Sequence, residues 1–205
     1  MTICIVDTGA SNAFSLQRSL LRVGYESFLA KTRDELEHAQ GIILPGVGNF
    51  DAVIGQIRQS RLEDSILHCI CQKKIPILGI CVGMQILFNS SAEGFQTGLS
   101  VLNGKIKKLS ANQLHKLPNN GFREVTSCPN DVLYTGLKKR NFFYFNHRFG
   151  LFNSKTDAML GHCTHSDKFV ASINYKNIYG VQFHPEKSHL AGLKLLQNFA
   201  SLVPK

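Results

Sequence analysis

No run of apolar residues in this 205-residue chain approaches the roughly 20 needed to cross a bilayer as a helix. The opening stretch from Met1 to Asp7 is apolar but meets an aspartate at once, so a signal peptide is not expected and a cytoplasmic protein is. Paired CxxC spacing is missing, which argues against a zinc site or a thioredoxin-like motif. The six cysteines, Cys4, Cys69, Cys71, Cys81, Cys128 and Cys163, are too sparse for a secreted disulfide framework. They are expected to be buried thiols acting as small hydrophobes, with Cys81 as the exception. Acidic residues are in deficit, 14 Asp and Glu against 23 Lys and Arg, for a formal net charge of +9. No basic stripe interleaved with aromatics accompanies that charge. Lys73-Lys74, Lys107-Lys108 and Lys138-Lys139-Arg140 are short, separate clusters, so nucleic-acid binding is not expected. Solvated faces account for the excess, and docking to an acidic partner is the second reading. Internal repeats, low-complexity tracts and linkers are lacking as well, which implies one domain over residues 1–205.

What is present supports a packed fold. Hydrophobic residues make up 43% and charged ones 18%, enough to bury a core and to exclude disorder. Residues 3–6 read as a buried strand, and 12–23 carry helical spacing through Phe14, Leu16, Leu20 and Val23, stopping at Gly24. A second strand follows over 25–29. Thr32 and Glu35 have capping-box spacing for a short helix. A third strand over 41–44 runs into Pro45-Gly46-Val47-Gly48. Helical segments then lead to a wholly apolar fourth strand over 75–79. Apolar strands separated by helices predict an α/β fold, a three-layer sandwich with a mostly parallel central sheet. The second half is richer in Asn, Phe and turn residues. There 121–127, 141–149, 168–175 and 177–183 read as strands of a more antiparallel kind, before a last helix over 190–202.

The chemistry concentrates in two motifs. Gly79-Ile80-Cys81-Val82-Gly83 lies between an apolar strand and a predicted helix over 84–88, the pattern of a nucleophile elbow with Cys in place of Ser. A sharp strand-to-helix turn strains its central residue and demands small neighbours. It also sets the sulfur at a helix N-terminus, which favours thiolate. A structural cysteine between glycines is the competing reading. The second motif, Gly180-Val181-Gln182-Phe183-His184-Pro185-Glu186, supplies what a thiolate needs: His184 as base and Glu186 to orient it. Alone, His-Pro-Glu is an ordinary strand-to-loop corner; beside an elbow it becomes a catalytic candidate. Pro45-Gly46-Val47-Gly48 is weaker. Its backbone amides can serve an oxyanion together with Val82, while phosphate binding lacks both the GxGxxG and the P-loop pattern.

The sequences GICVGMQ (79–85) and GVQFHPEKS (180–188) resemble the class I, triad-type glutamine amidotransferases. Lys187-Ser188, Pro45–Gly48 and the segment from Asp7 to Asn12 are similar in particular to their glutaminase subunits of imidazole glycerol phosphate synthase. The likeness covers nearly the whole chain. It implies a triad of Cys81, His184 and Glu186, an oxyanion strand at Val47 and Gly48, and glutamine held by Gln85 and Glu93 and by the stretch holding His147 and Arg148. It also implies a heterodimer with a cyclase subunit of (β/α)8-barrel type, into which ammonia passes, and no cofactor.

Two stretches depart from that pattern. Pro118-Asn119-Asn120-Gly121-Phe122-Arg123 stands where the family has Pro-His-Met-Gly-Trp-Asn and faces its partner. Tyr144-Phe145-Asn146-His147-Arg148-Phe149 stands where it has a Tyr-Phe-Val-His-Ser-Tyr-like run that helps hold glutamine. His147 is kept, whereas Arg148 and Phe149 are not family residues. These departures leave open a paralogue that supplies ammonia for acetamidino-sugar synthesis in a surface polysaccharide pathway. Two further readings are a stand-alone cysteine hydrolase of γ-glutamyl compounds and a non-catalytic scaffold. His162 and His165 are expected at the surface rather than on a metal. Cys69 and Cys71 are expected to point apart on a helix, and Phe142, Phe143, Phe145 and Phe149 to be core strand residues.

Overall fold

In the computed structural model, residues 2–7, 12–154 and 157–204 are described. Positions 8–11, within the stretch from Asp7 to Asn12 that carries part of the family resemblance, lie outside them. A nine-stranded sheet dominates. Its parallel half uses β1 (Ile3–Val6), β2 (Ser27–Ala30), β3 (Gly41–Gly46) and β4 (Ile77–Cys81), alternating with α1 (Ala13–Arg22), α2 (Arg33–Glu37), α3 (Phe50–Gln59) and α4 (Glu63–Cys71). The one-turn helix α5 (Val82–Gln85) follows β4 directly. Short β5 (Ser90–Ser91) and β6 (Lys105–Lys108) lead to β7 (Asn119–Thr126), β8 (Arg140–His147), β9 (Phe149–Gly150), β10 (Met159–Thr164), β11 (Lys168–Tyr175), β12 (Ile178–Val181) and α6 (His189–Ser201).

The order across the large sheet is β2-β1-β3-β4-β12-β11-β10-β7-β8, while β5, β6 and β9 form a small second sheet. From β2 to β12 every neighbouring pair is parallel, and from β12 to β8 every pair is antiparallel. The strand expected over 177–183 therefore has two roles. It is antiparallel to β11, as the second half of the sequence suggests, and parallel to β4, which brings both chemical motifs side by side.

Local signals account for much of this. Every residue of β1, β3 and β4 is buried, as parallel strands covered on both faces require. Thr32 and Glu35 form the expected capping box, and α1 ends at Gly24 with φ +88°. Phe143, Phe145, Phe169 and Phe183 are fully buried and interlock, with Phe143 stacked on Phe183 at a centroid distance of 4.0 Å. Removing such a ring costs about 3–5 kcal/mol, so this cluster anchors the chain next to His184. Phe142 on the same strand turns outward and is exposed, which corrects its expected place in the core. β10, not expected from sequence, carries a register shift between Gly161 and His162 in its pairing with β11.

Candidate active site

Three adjacent parallel strands, β3, β4 and β12, deliver the motifs to one edge of the sheet. Gly46 pairs with Cys81 and Ile80 with Val181, so Cys81 ends its strand while Val47-Gly48 and His184 lie just past the C-terminal ends of the neighbouring ones. Open α/β sheets bind ligands in this position.

The elbow is built as its glycines require. Cys81 has φ +56° and ψ −112°, a strained conformation for a residue with a side chain. A Cβ on Gly79 would stand 2.7 Å from the Gly83 carbonyl oxygen, and one on Gly83 would overlap the Leu44 carbonyl. Gly180, which pairs with Gly79, leaves the space that Met84 fills. The helix expected over 84–88 is shifted and shorter, Val82–Gln85. Beyond it the carbonyls of Ile86, Leu87 and Asn89 accept from Leu99, Leu102 and Gly98, so a loop takes the bonds that a helix would need.

Around Cys81 the side chains form a short relay. His184 Nδ1 lies 2.9 Å from Glu186 Oε1, which also accepts from Asn12 Nδ2 at 3.0 Å. The ring shares the cavity with Cys81. Burial by itself depresses the imidazole, but the neighbouring Cys81, then the hydrogen-bonded Glu186, outweigh it and push His184 up to about 10. Glu186 is raised by burial, yet His184 and the Asn12 amide hold it below the usual carboxylate value. Backbone ties fix the histidine: its N–H donates to the Tyr144 carbonyl at 2.8 Å, and the Ser188 hydroxyl donates to its carbonyl at 2.6 Å while accepting from Tyr144 N.

Cys81 is 3% exposed, so its expected distinction from the other thiols is not exposure. Cys4 and Cys163 are buried too, and burial pushes both up to about 12. Cys71 is the exposed one and Cys128 is half-buried. What sets Cys81 apart is its neighbours.

A cavity of about 290 Å³ opens onto the sulfur, lined by Val47, Gly48, Glu93, Arg148, His184 and Lys187 among others. Glu93 accepts from Phe50 N at 2.9 Å, and burial raises its carboxyl. Arg148 is exposed at the rim, with no side-chain partner among the described residues. His147 also lines the cavity, but both ring nitrogens are engaged. Nδ1 donates to the Phe149 carbonyl at 2.8 Å, and Nε2 accepts from Asn119 at 2.9 Å. Burial pushes this neutral ring down to about 4. Gln85, expected at the substrate, is linked to the sulfur through Gln182. It is 2% exposed, and its amide nitrogen donates to Phe149 O and Gln182 Oε1, both at 2.9 Å. Val82 opens α5, in the turn whose N–H groups have no intrahelical partner.

Asn12, Gln182 and Ser188 lie in the quoted segments, but their roles here are not expected from sequence, because each acts through a partner distant in sequence or through backbone. His165 corrects another expectation: it is buried, its Nε2 3.0 Å from the Lys116 carbonyl. Among the described residues no group of His, Cys, Asp or Glu is arranged to hold a metal ion, and no helix is long and apolar enough to cross a membrane.

A family model described as glutamine amidotransferase class-I matches residues 4–202. Imidazole glycerol phosphate synthase subunit HisH of Leptospira interrogans is 39% identical over 203 residues, covering 98% of this chain and 100% of that relative. Imidazole glycerol phosphate synthase subunit HisH 2 of Pseudomonas aeruginosa is 34% identical over 201 residues, at 98% and 100% coverage. A crystal structure described as a glutamine amidotransferase shares the fold with a TM-score of 0.78 at 16% identity, covering 98% of each chain.

Proposed function

The chain belongs to the class I glutamine amidotransferase family, and from that premise we propose that it is the glutaminase subunit of an imidazole glycerol phosphate synthase. One observation carries the reading: a cysteine at a strained elbow shares an open cavity with an imidazole whose Nδ1 meets a buried carboxylate.

Glutamine enters that cavity with its carboxamide toward Cys81. Glu93 and Arg148, opposite in charge and both lining the cavity, receive its α-ammonium and α-carboxylate. The sulfur attacks the carboxamide carbon, and amides of Val47, Gly48 and Val82 take the negative oxygen. His184 passes its proton to the nitrogen, ammonia leaves, and a thioester remains. Water then gives a proton to His184 and its hydroxide to the thioester carbon, releasing glutamate and restoring Cys81. Every step is served by this chain's own side chains and amides.

Removing the guanidinium in Arg148→Ala is expected to raise KM for glutamine about tenfold with kcat little changed, because the contact is equal in ground and transition states. A fall in kcat at unchanged KM in steady-state assays of glutamate release would contradict that assignment.

The ammonia goes to a partner, proposed as a (β/α)8-barrel cyclase of histidine biosynthesis in the cytoplasm, forming a heterodimer with this one-domain chain. The departures at Asn119–Arg123 and Arg148–Phe149 favour a second reading, a paralogue feeding acetamidino-sugar synthesis. Gly48 stands at φ +105° with open space where a Cβ would be, so the Val47-Gly48 peptide turns at little steric cost. Partner docking is expected to aim it at the oxyanion and speed glutamine hydrolysis about 10²-fold. Hydrolysis measured alone, with a histidine-pathway cyclase and with a cyclase-like protein from a surface-sugar cluster separates the readings. Full activity alone would favour the stand-alone hydrolase.

A further inference from the structure

Behind the sulfur lies a buried polar chain that the glutaminase chemistry above does not use. Gln182 is fully buried, and its Nε2 lies 3.7 Å from Cys81 Sγ. Its Oε1 lies 2.9 Å from Gln85 Nε2, which also lies 2.9 Å from the Phe149 carbonyl oxygen. The same carbonyl accepts from His147 Nδ1, and His147 Nε2 accepts from Asn119.

The order of donors in this chain follows from chemistry. A backbone carbonyl only accepts, so the Gln85 atom facing Phe149 must be its NH2 group. That group has a second hydrogen, directed at Gln182, so the facing atom of Gln182 must be its oxygen. The Gln182 NH2 group is thereby left pointing at the sulfur. Turning Gln85 over would set its oxygen against two other oxygens, and turning Gln182 over would set two NH2 groups against each other, with buried donors unmet in both cases.

We propose that Gln182 is a further catalytic residue: its amide N–H holds negative charge on the Cys81 sulfur, and Gln85 is the positioning residue that keeps the donor aimed. A hydrogen bond to an ionised acceptor is roughly twice as strong as a neutral one, and more so away from water. His184 moves a proton during each half of the reaction. The amide of Gln182 cannot ionise, so it serves the sulfur both before attack and when the thioester breaks. The other charged or titratable groups that face Cys81 are His184, backed by Glu186, and Glu93, Arg148 and Lys187 across the cavity, with His147 held neutral. None of them replaces a donor from behind.

The proposal rests on Cys81 being the nucleophile, so the test reads the thiol directly, without glutamine or partner. Full-length protein is treated with iodoacetamide as a function of pH, and Cys81 modification is followed by peptide mass analysis. Gln182→Met keeps the volume and removes the donor. Its Cys81 is expected to react about tenfold more slowly at neutral pH, with the gap closing as the pH rises. Gln182→Glu, which sets a carboxylate oxygen toward the sulfur, is expected to lose more. Should Gln182→Met fail to fold, Gln85→Met unpins the amide and is expected to show a severalfold loss of the same pH shape. Wild-type rates in these variants, or a loss that stays constant with pH, overturn the donor role and leave the nucleophile in place. If Cys81 of the parent protein reacts no faster than Cys71 and Cys128, the nucleophile reading falls, and the donor with it.

Discussion

Cys81→Ala protein is expected to hydrolyse glutamine at least about 10⁴-fold more slowly than the parent, the scale seen when a triad nucleophile is removed. The expectation follows from what the sulfur does in the proposed cycle. Without it no covalent intermediate forms, and His184 has no nucleophile to serve. The fold should survive, because alanine suits the elbow's small-residue surroundings and removes one polarizable atom from a site that is 3% exposed. A melting temperature within a few degrees of the parent would establish that. Synthesis by the partnered complex from added ammonium salts should persist, because the partner's chemistry does not use the thiol. The discriminating measurement is glutamate release by the complex, set against product formed from ammonium salts. Turnover of glutamine within tenfold of the parent would remove Cys81 from the mechanism. Loss of both activities would point to disrupted docking instead.

The elbow is legible in the amino-acid sequence because its demands are local. Gly79 and Gly83 are small because Met84 and Leu44 press against them, and the call for small residues leaves a mark within five positions of sequence. The capping box at Thr32 and the Gly24 stop are legible for the same reason. The parallel half follows from continuous apolar strands, whose burial on both faces writes itself into composition.

What sequence does not disclose depends on pairing. Nothing near Ile178–Val181 says that this strand lies beside β4, so the meeting of Cys81 and His184 rests, in sequence, on family resemblance. The same holds for Asn12, which reaches Glu186 across 174 positions. Gln85 shows a second contact that sequence does not disclose. Its place in a motif suggests a substrate contact, while its depth, a tertiary property, turns its amide toward Gln182 and Phe149. His165 reads as a surface residue, yet its ring rests against the Lys116 carbonyl. Polar residues near a turn carry no sequence mark of whether the turn folds inward.

Glu186→Gln is expected to lower kcat for glutamine hydrolysis roughly 10³-fold, about 4 kcal/mol in the barrier. The substitution keeps shape and removes charge. Glu186 does two things for His184: its oxygen fixes the hydrogen on Nδ1, leaving the other ring nitrogen for Cys81, and its charge favours the imidazolium. A neutral amide can turn its NH2 toward the ring and select the wrong tautomer, which is how the loss reaches this size. Asn12 biases the outcome, because its Nδ2 already donates to the same oxygen and favours keeping an acceptor there. Stability against pH gives an independent reading. Glu186 is held below its ordinary 4.5, so its contribution is present above that value and is lost as pH falls through the lowered one. His184 is raised from 6.5 to about 10, so its contribution is full below 6.5 and is lost as pH rises toward about 10. The parent should therefore gain most from this pair in the interval between those ordinary values, 4.5 to 6.5. In Glu186→Gln the acid limb due to this carboxyl disappears. The alkaline limb moves to lower pH, because one of the two groups that raise His184 is gone while burial still depresses it. Melting temperatures of parent and variant across pH measure both limbs. Parallel curves, or a kcat loss under tenfold, would mean that Glu186 neither charges nor orients His184, and that Cys81 and His184 act as a dyad.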